Sequence, residues 1–167
     1  MPKQLLAFLL FLHLSALIFA QSPQKTIAFG IGYGELIQQQ GSIPDFSALK
    51  YGVRYLSESQ HVAIQAGYSN WQSVSKTKHM TQNELEWAAG YHYQNKRGAA
   101  NVLLGTTLRY AYGASPEIFN QWTFALTGIV HTRLNMDKKW SFFQEMGFVF
   151  NHSYTSIASI IGLAFKL

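Results

Sequence analysis

The chain has 167 residues, no cysteine and a formal net charge of +5, with 15% aromatic and only 13% charged residues. Disulfides, thiolate metal sites and a lipid-bearing cysteine are thereby excluded, and the scattered Lys and Arg form no basic helix or arm of the kind that grips nucleic acid. Aromatics run high and charge low for a surface facing water, where about 25% charged residues or more is usual, so something apolar should cover the outside.

At the N-terminus, Lys3 precedes an apolar run from Leu5 to Phe19, broken only by His13 and Ser15, and small Ala20 precedes Gln21 and Ser22. This is the pattern of a cleaved export signal, and the run is short for a helical span of about 20 residues. Cleavage after Ala20 assigns residues 1–20 to a signal peptide and 21–167 to one domain, and losing Lys3 lowers the formal charge from +5 to +4. A retained N-terminal anchor is the alternative.

Beyond it, apolar residues alternate with small or polar ones in eight segments: 26–36, 48–57, 61–71, 82–94, 100–112, 121–134, 140–151 and 156–167. Period two over such lengths predicts strands, each long enough to cross a bilayer at a tilt. Tight turns at 58–60, 95–98 and 135–139 alternate with longer loops at 37–47, 72–81 and 113–120. The predicted fold is all-β, an eight-stranded antiparallel up-and-down transmembrane β-barrel with short periplasmic turns and longer outer loops.

The faces carry the argument. Ile27, Phe29, Ile31 and Tyr33 oppose Ala28, Gly30, Gly32 and Gly34; Leu49, Tyr51, Val53 and Tyr55 oppose Lys50, Gly52 and Arg54. Leu85, Trp87, Tyr91 and Tyr93 oppose Glu84, Glu86, Gly90 and His92. Val102, Leu104, Leu108 and Tyr110 oppose Asn101, Gly105, Thr107 and Arg109, and Trp122, Phe124, Leu126 and Val130 oppose Thr123, Thr127, His131 and Arg133. A soluble barrel of lipocalin or avidin type would put the charges outside. Here Lys50, Arg54, Glu84, Glu86, His92, Arg109, His131, Arg133 and Glu145 are expected to share a narrow lumen as a polar network of near-balanced sign. Gln144 and Ser159 fall on the apolar face, which a bulge or a protein contact would explain. Tyr55, Tyr93, Trp140 and Phe165 near one end, and Tyr33, Tyr68, Tyr110, Trp122 and Phe150 near the other, suit two interfacial belts.

The export signal, eight alternating strands and terminal run 160–167 together resemble the small eight-stranded bacterial outer-membrane β-barrel families, the porin-like or OmpA/OmpX-like β-barrel domains. That resemblance implies location in the cell outer membrane of a Gram-negative bacterium, a monomer, and contact with outer-membrane lipids, with lipopolysaccharide a further candidate. It also implies an assembly signal read by the barrel-assembly machinery, a Gly, an aromatic residue three positions on, and an apolar terminal residue. Gly162, Phe165 and Leu167 have that spacing, with Leu167 where Phe or Trp is usual and Ile160 where a polar residue is common.

Chemistry is sparsely indicated. Some barrels of this kind modify lipid A with Ser, His and a carboxylate at the outer rim. The local candidates are His152 and Ser153, but they are adjacent rather than two apart, and 156–167 holds no Asp or Glu. A lipid A acyl hydrolase or transferase would have to borrow a carboxylate such as Glu117. His61, His79, His92, His131 and His152 are isolated, so no metal site is expected, and Gly30-Ile31-Gly32-Tyr33-Gly34 has strand period rather than a dinucleotide fingerprint. No cofactor is expected.

Binding would fall to the loops. Lys76, Lys78 and His79 could meet lipopolysaccharide phosphates, the segments 38–42 and 114–119 a ligand or partner, and Lys96-Arg97 and Lys138-Lys139 anionic headgroups. The expectation is a non-enzymatic structural or surface-binding barrel; the alternatives are the lipid A enzyme, a narrow pore and a soluble periplasmic barrel.

Overall fold

The computed structural model describes residues 23–38, 46–74, 80–113, 121–151 and 154–167. Eight strands run β1 (Gln24–Gln38), β2 (Phe46–Glu58), β3 (Val62–Ser73), β4 (Met80–Gln94), β5 (Gly98–Gly113), β6 (Gln121–Asn135), β7 (Trp140–Phe150) and β8 (Tyr154–Lys166). Each pairs antiparallel with its sequence neighbour, and β1 pairs with β8 to close the barrel. Closure leaves no free sheet edge.

The β-branched and aromatic content of these segments suits a pleated sheet, and the tight connections carry their own signals. Asn95 Oδ1 accepts from the amides of Arg97 (2.8 Å) and Gly98 (3.0 Å). Asp137 Oδ1 accepts from those of Lys139 and Trp140, both at 2.6 Å. Both are side-chain-closed turns. These turns, the β2–β3 connection and the start of β1 lie at one end with the close of β8; the ends of β1, β3, β5 and β7 lie at the other.

Several strands outrun the apolar alternation. β1 continues to Gln38 and β2 begins at Phe46, because the ladder persists through Glu35↔Ser47 and Leu36↔Phe46. β8 begins at Tyr154, and Glu58 ends β2 rather than opening a turn. His61 and Asn151 fall outside the strands. No bulge shifts β7: Thr132↔Gln144 and Gln144↔Ile161 are paired one to one, so Gln144 stays on the exposed face. The Thr132 hydroxyl donates to the Gln144 carbonyl (3.3 Å), which satisfies one polar group of that face within the wall.

The two faces have opposite characters. Outward lie Phe29, Ile31, Val102, Leu104, Phe124, Ile161 and Leu163, between 47% and 69% exposed. Inward lie four cations, Lys50, Arg54, Arg109 and Arg133, and four carboxylates, Glu58, Glu84, Glu86 and Glu145, each no more than 4% exposed. The inner face is not only small and charged, since Leu56, Trp71, Leu103, Ile129, Phe143 and Ile160 are buried there too. Small Ala28, Ala63, Ala88, Ala158 and Ala164 leave them room.

Tyrosines mark where the apolar band stops. Tyr68 donates from its hydroxyl to Asn83 Oδ1 (2.8 Å), Asn70 Nδ2 donates to the same oxygen (2.8 Å), and Gln72 Nε2 donates to the Tyr51 hydroxyl (3.0 Å).

Candidate functional site

The barrel interior holds three polar layers, built because alternate residues of a strand point the same way. Nearest the long-loop end, Glu84 of β4 binds Lys50 of β2 (2.9 Å) and also pairs with Arg109 of β5. Gln82 Nε2 donates to Glu84 (2.9 Å) and Arg109 Nη2 to Ser156 Oγ (2.6 Å). The Trp71 ring lies 4.7 Å from Lys50 Nζ and 5.7 Å from the Arg109 guanidinium, a cation–π contact with both.

In the middle layer, Arg54 reaches across the lumen to Glu145 of β7, donating from Nε (3.0 Å) and Nη2 (2.9 Å) to Oε1. Arg54 Nε also lies 3.6 Å from Glu86. Gln65 joins the two carboxylates, its Nε2 donating to Glu86 (3.0 Å) and Glu145 (2.9 Å). His131 Nδ1 lies 3.4 Å from Glu145, and its ring stacks on Phe143 at 5.0 Å and 6°.

Nearest the termini, Arg133 Nη2 donates to Glu58 Oε2 (2.7 Å), Nη1 donates to Thr26 Oγ1 (3.2 Å), and Asn101 Nδ2 donates to Glu58 Oε1 (2.8 Å). Because the amide nitrogen of Asn101 faces Glu58, its oxygen faces His92 Nδ1 at 2.6 Å, so that ring nitrogen carries a proton. An open cleft of about 580 Å³ sits over this layer, bordered by Gln24, Glu58, Ser59, Gln60, His92 and Gln94.

All nine residues assigned to the lumen from sequence are thus buried inside the barrel. Three that carry the network were not among them. Glu58 has the parity of Lys50 and Arg54 but sits in a polar Glu-Ser-Gln run that reads as a turn. Gln65 lies between Ala63 and Gly67 on the small face of β3, the signal that would have found it. Trp71 shares that face, but its bulk suggests the outside. His152 and Ser153 lie outside the described residues, as do Lys76, Lys78, His79, Glu117 and residues 1–22. Phe165 and Leu167 lie at the end of the barrel that holds the short turns, and Gly162 lies further in, paired with Gly30; Gly162 packs against Phe143 and Phe165 against Trp140. Among the described residues no group of three His, Asp or Glu side chains is placed to hold a metal ion.

The chemistry of this interior is mutual neutralisation. Among the described residues the lumen carboxylates Glu58, Glu84, Glu86 and Glu145 each have a cationic partner.

Outside the lumen, the exposed turn carboxylate of Asp137 is held below its ordinary range by the backbone amides of Trp140 and then Lys139. A carboxylate favoured by the fold stabilises it fully above about pH 4 and loses that contribution as pH falls through the lowered value. Lower amide-exchange protection at Lys139 and Trp140, measured against the intrinsic rate at each pH, is therefore expected both on acidification and in Asp137→Ala at neutral pH.

No protein-family model matches the sequence, and no curated protein matches it. Solved structures do. The chain is similar to Neisserial surface protein A, with a TM-score of 0.66 at 7% identity over 86% of this chain and 97% of that one. It is also similar to Ail, the attachment invasion locus protein of Yersinia pestis, with a TM-score of 0.60 at 12% identity over 85% and 98% of the two chains. The N-terminal β-barrel domain of Pseudomonas aeruginosa OprF gives 0.59 at 13% identity over 88% and 98%. At these identities the likeness concerns the fold, the eight-stranded barrel of outer-membrane proteins.

Proposed function

We propose that this chain spans the outer membrane of a Gram-negative bacterium as a closed, non-enzymatic barrel and acts as a structural or surface-binding protein through its outer loops. The observation that carries this reading is the inversion of the faces. A water-soluble barrel could not leave Phe29, Ile31, Leu104, Phe124 and Ile161 exposed in one band while burying eight charged side chains. In a bilayer both choices are favourable, since lipid covers the band and the strands satisfy one another's backbone groups. The short-turn end then faces the periplasm and the long-loop end the exterior. The names of Neisserial surface protein A and of the attachment protein Ail agree with a surface role.

Membrane fractionation with a urea wash, followed by gel migration with and without boiling, tests the location. Urea-resistant recovery in the outer membrane with a heat-dependent shift is the expected result; a soluble periplasmic species overturns it. Two further readouts separate the alternatives. The meshed lumen predicts no single-channel steps in planar bilayers, and the non-enzymatic reading predicts no change in lipid A mass on expression.

A further inference from the structure

Gln144 is a polar residue on the outer face of the wall, and the register fixes its depth. Outward residues succeed one another around the barrel as Tyr93, Ala100, Thr132, Gln144, Ile161, Ile31 and Tyr51, each paired with the next across a strand boundary. Carried on through Asn70, the row returns to β4 at Asn83, ten residues from Tyr93, so it climbs the barrel as tilted strands require. It starts at Tyr93 near the short-turn end and reaches Tyr51 near the other, with Gln144 midway. Along β7 the placement agrees, since Trp140 and Phe142 precede Gln144 on the outer face and Met146, Phe148 and Phe150 follow. About 13 Å of strand separates it from Trp140, further than its side chain reaches.

Among the described residues nothing hydrogen-bonds the Gln144 side-chain amide, and the adjacent Thr132 hydroxyl is turned to the Gln144 main-chain carbonyl instead. The wall beside it is low. Ala100, Gly128, Val130 and Thr132 face outward on β5 and β6, and a Cβ on Gly128 would meet only Leu104, at 3.7 Å.

We propose that this β6–β7 face is an interface for a second copy of this chain, with the two Gln144 carboxamides hydrogen-bonded to each other across a two-fold axis along the membrane normal. The inference rests on the membrane-spanning reading above. Acyl chains offer neither donor nor acceptor, so an amide at this depth stays unsatisfied until protein covers it. A carboxamide has two donors and an acceptor with two lone pairs, so two of them satisfy each other by exchanging N–H···O bonds. Copies inserted in one orientation and related by such an axis hold every residue at the depth of its counterpart, which makes the contact self-complementary. Any other partner would need a polar group of its own at the same depth. The small residues of β6 let two walls approach closely, as small residues do between membrane helices. Where the resemblance to small barrels implies a monomer, this wall implies a pair.

The chain has no cysteine, so the test uses single-cysteine variants in outer membranes and, after purification, in phosphatidylcholine vesicles. Met146→Cys lies next to Gln144 on the outer face of β7; Ala66→Cys, on the outer face of β3 across the barrel, is the control. Oxidation with copper phenanthroline is expected to link Met146→Cys into a homodimer, in membranes and with purified protein alike, much faster than Ala66→Cys. Adding Gln144→Leu should slow the linkage about tenfold, the factor that loss of two hydrogen bonds of the strength measured in membranes carries, while gel migration still shifts on boiling. Equal rates at the two cysteines, or a rate indifferent to Gln144→Leu, overturn the interface. A link that forms in membranes to a band of another mass, and not with purified protein, overturns the second copy in favour of a different partner. Rapid reaction of folded Met146→Cys with a water-soluble maleimide instead overturns the membrane-spanning reading itself.

Discussion

Arg54→Met is expected to destabilise the folded barrel by about 3–5 kcal/mol, the range found when one partner of a buried ion pair is removed. Arg54 is the cation of the middle layer, held by Glu145 at 2.9 Å and flanked by Glu86 at 3.6 Å, with all three side chains at most 5% exposed. Methionine fills much of the volume but leaves two carboxylates linked through Gln65 without their guanidinium. The measurement is the urea midpoint of the reconstituted barrel, read by loss of the fast-migrating gel band. Glu145→Leu alone should cost less, because Arg54 keeps Glu86 as counter-ion. The double variant should recover part of the Arg54→Met loss, since only Glu86 then remains uncompensated, giving a coupling of at least about 1 kcal/mol in the cycle. Simple additivity would mean that the layer is wetter and more strongly screened than its burial indicates.

The fold is legible in the sequence because one rule, period two, operates along nearly the whole described chain. Tyr51, Val53 and Tyr55 cannot share a face with Lys50 and Arg54, and the abundance of large residues on the first set decides which way each points. What sequence alone hides is where the rule is overridden by a partner from a distant strand. Phe143 breaks the pattern of small or charged inward residues because Gly30 and Gly162, more than a hundred residues apart, make a flat floor for its ring. Trp71 does so because Gly34 makes room beneath it and because Lys50 and Arg109 supply cations for its face. Glu58 was hidden by local composition, since a Glu before Ser and Gln resembles a turn until Arg133 and Asn101 are seen opposite it. The ends of the strands were least legible, because there the ladder continues on backbone hydrogen bonds after the apolar alternation has stopped.

Gly30→Val is expected to destabilise the barrel by roughly 1–3 kcal/mol, the usual cost of overfilling a packed interior. Gly30 faces Gly162 directly across β1 and β8, the pair that closes the barrel. A Cβ on Gly30 would come within 2.7 Å of Phe143 Cζ and 2.8 Å of the Ile161 carbonyl oxygen, and one on Gly162 within 2.8 Å of Phe143 Cε1. One ring thus covers both glycines, and an added side chain must displace it or spread the seam. Phe143→Ala alone should cost about 3–5 kcal/mol through the cavity it leaves. Combined with Gly30→Val the two losses should fall short of their sum by at least about 1 kcal/mol, because the new methyl groups occupy space the ring vacated; the Ile161 carbonyl does not move away, so recovery is partial. The same geometry gives Gly162 a packing role separable from any part in assembly. If packing is its role, Gly162→Ala slows or weakens refolding of purified protein into detergent, where no assembly machinery is present. If refolding there is unimpaired and only insertion in cells is lost, the glycine acts as a recognition feature and the seam tolerates a methyl group.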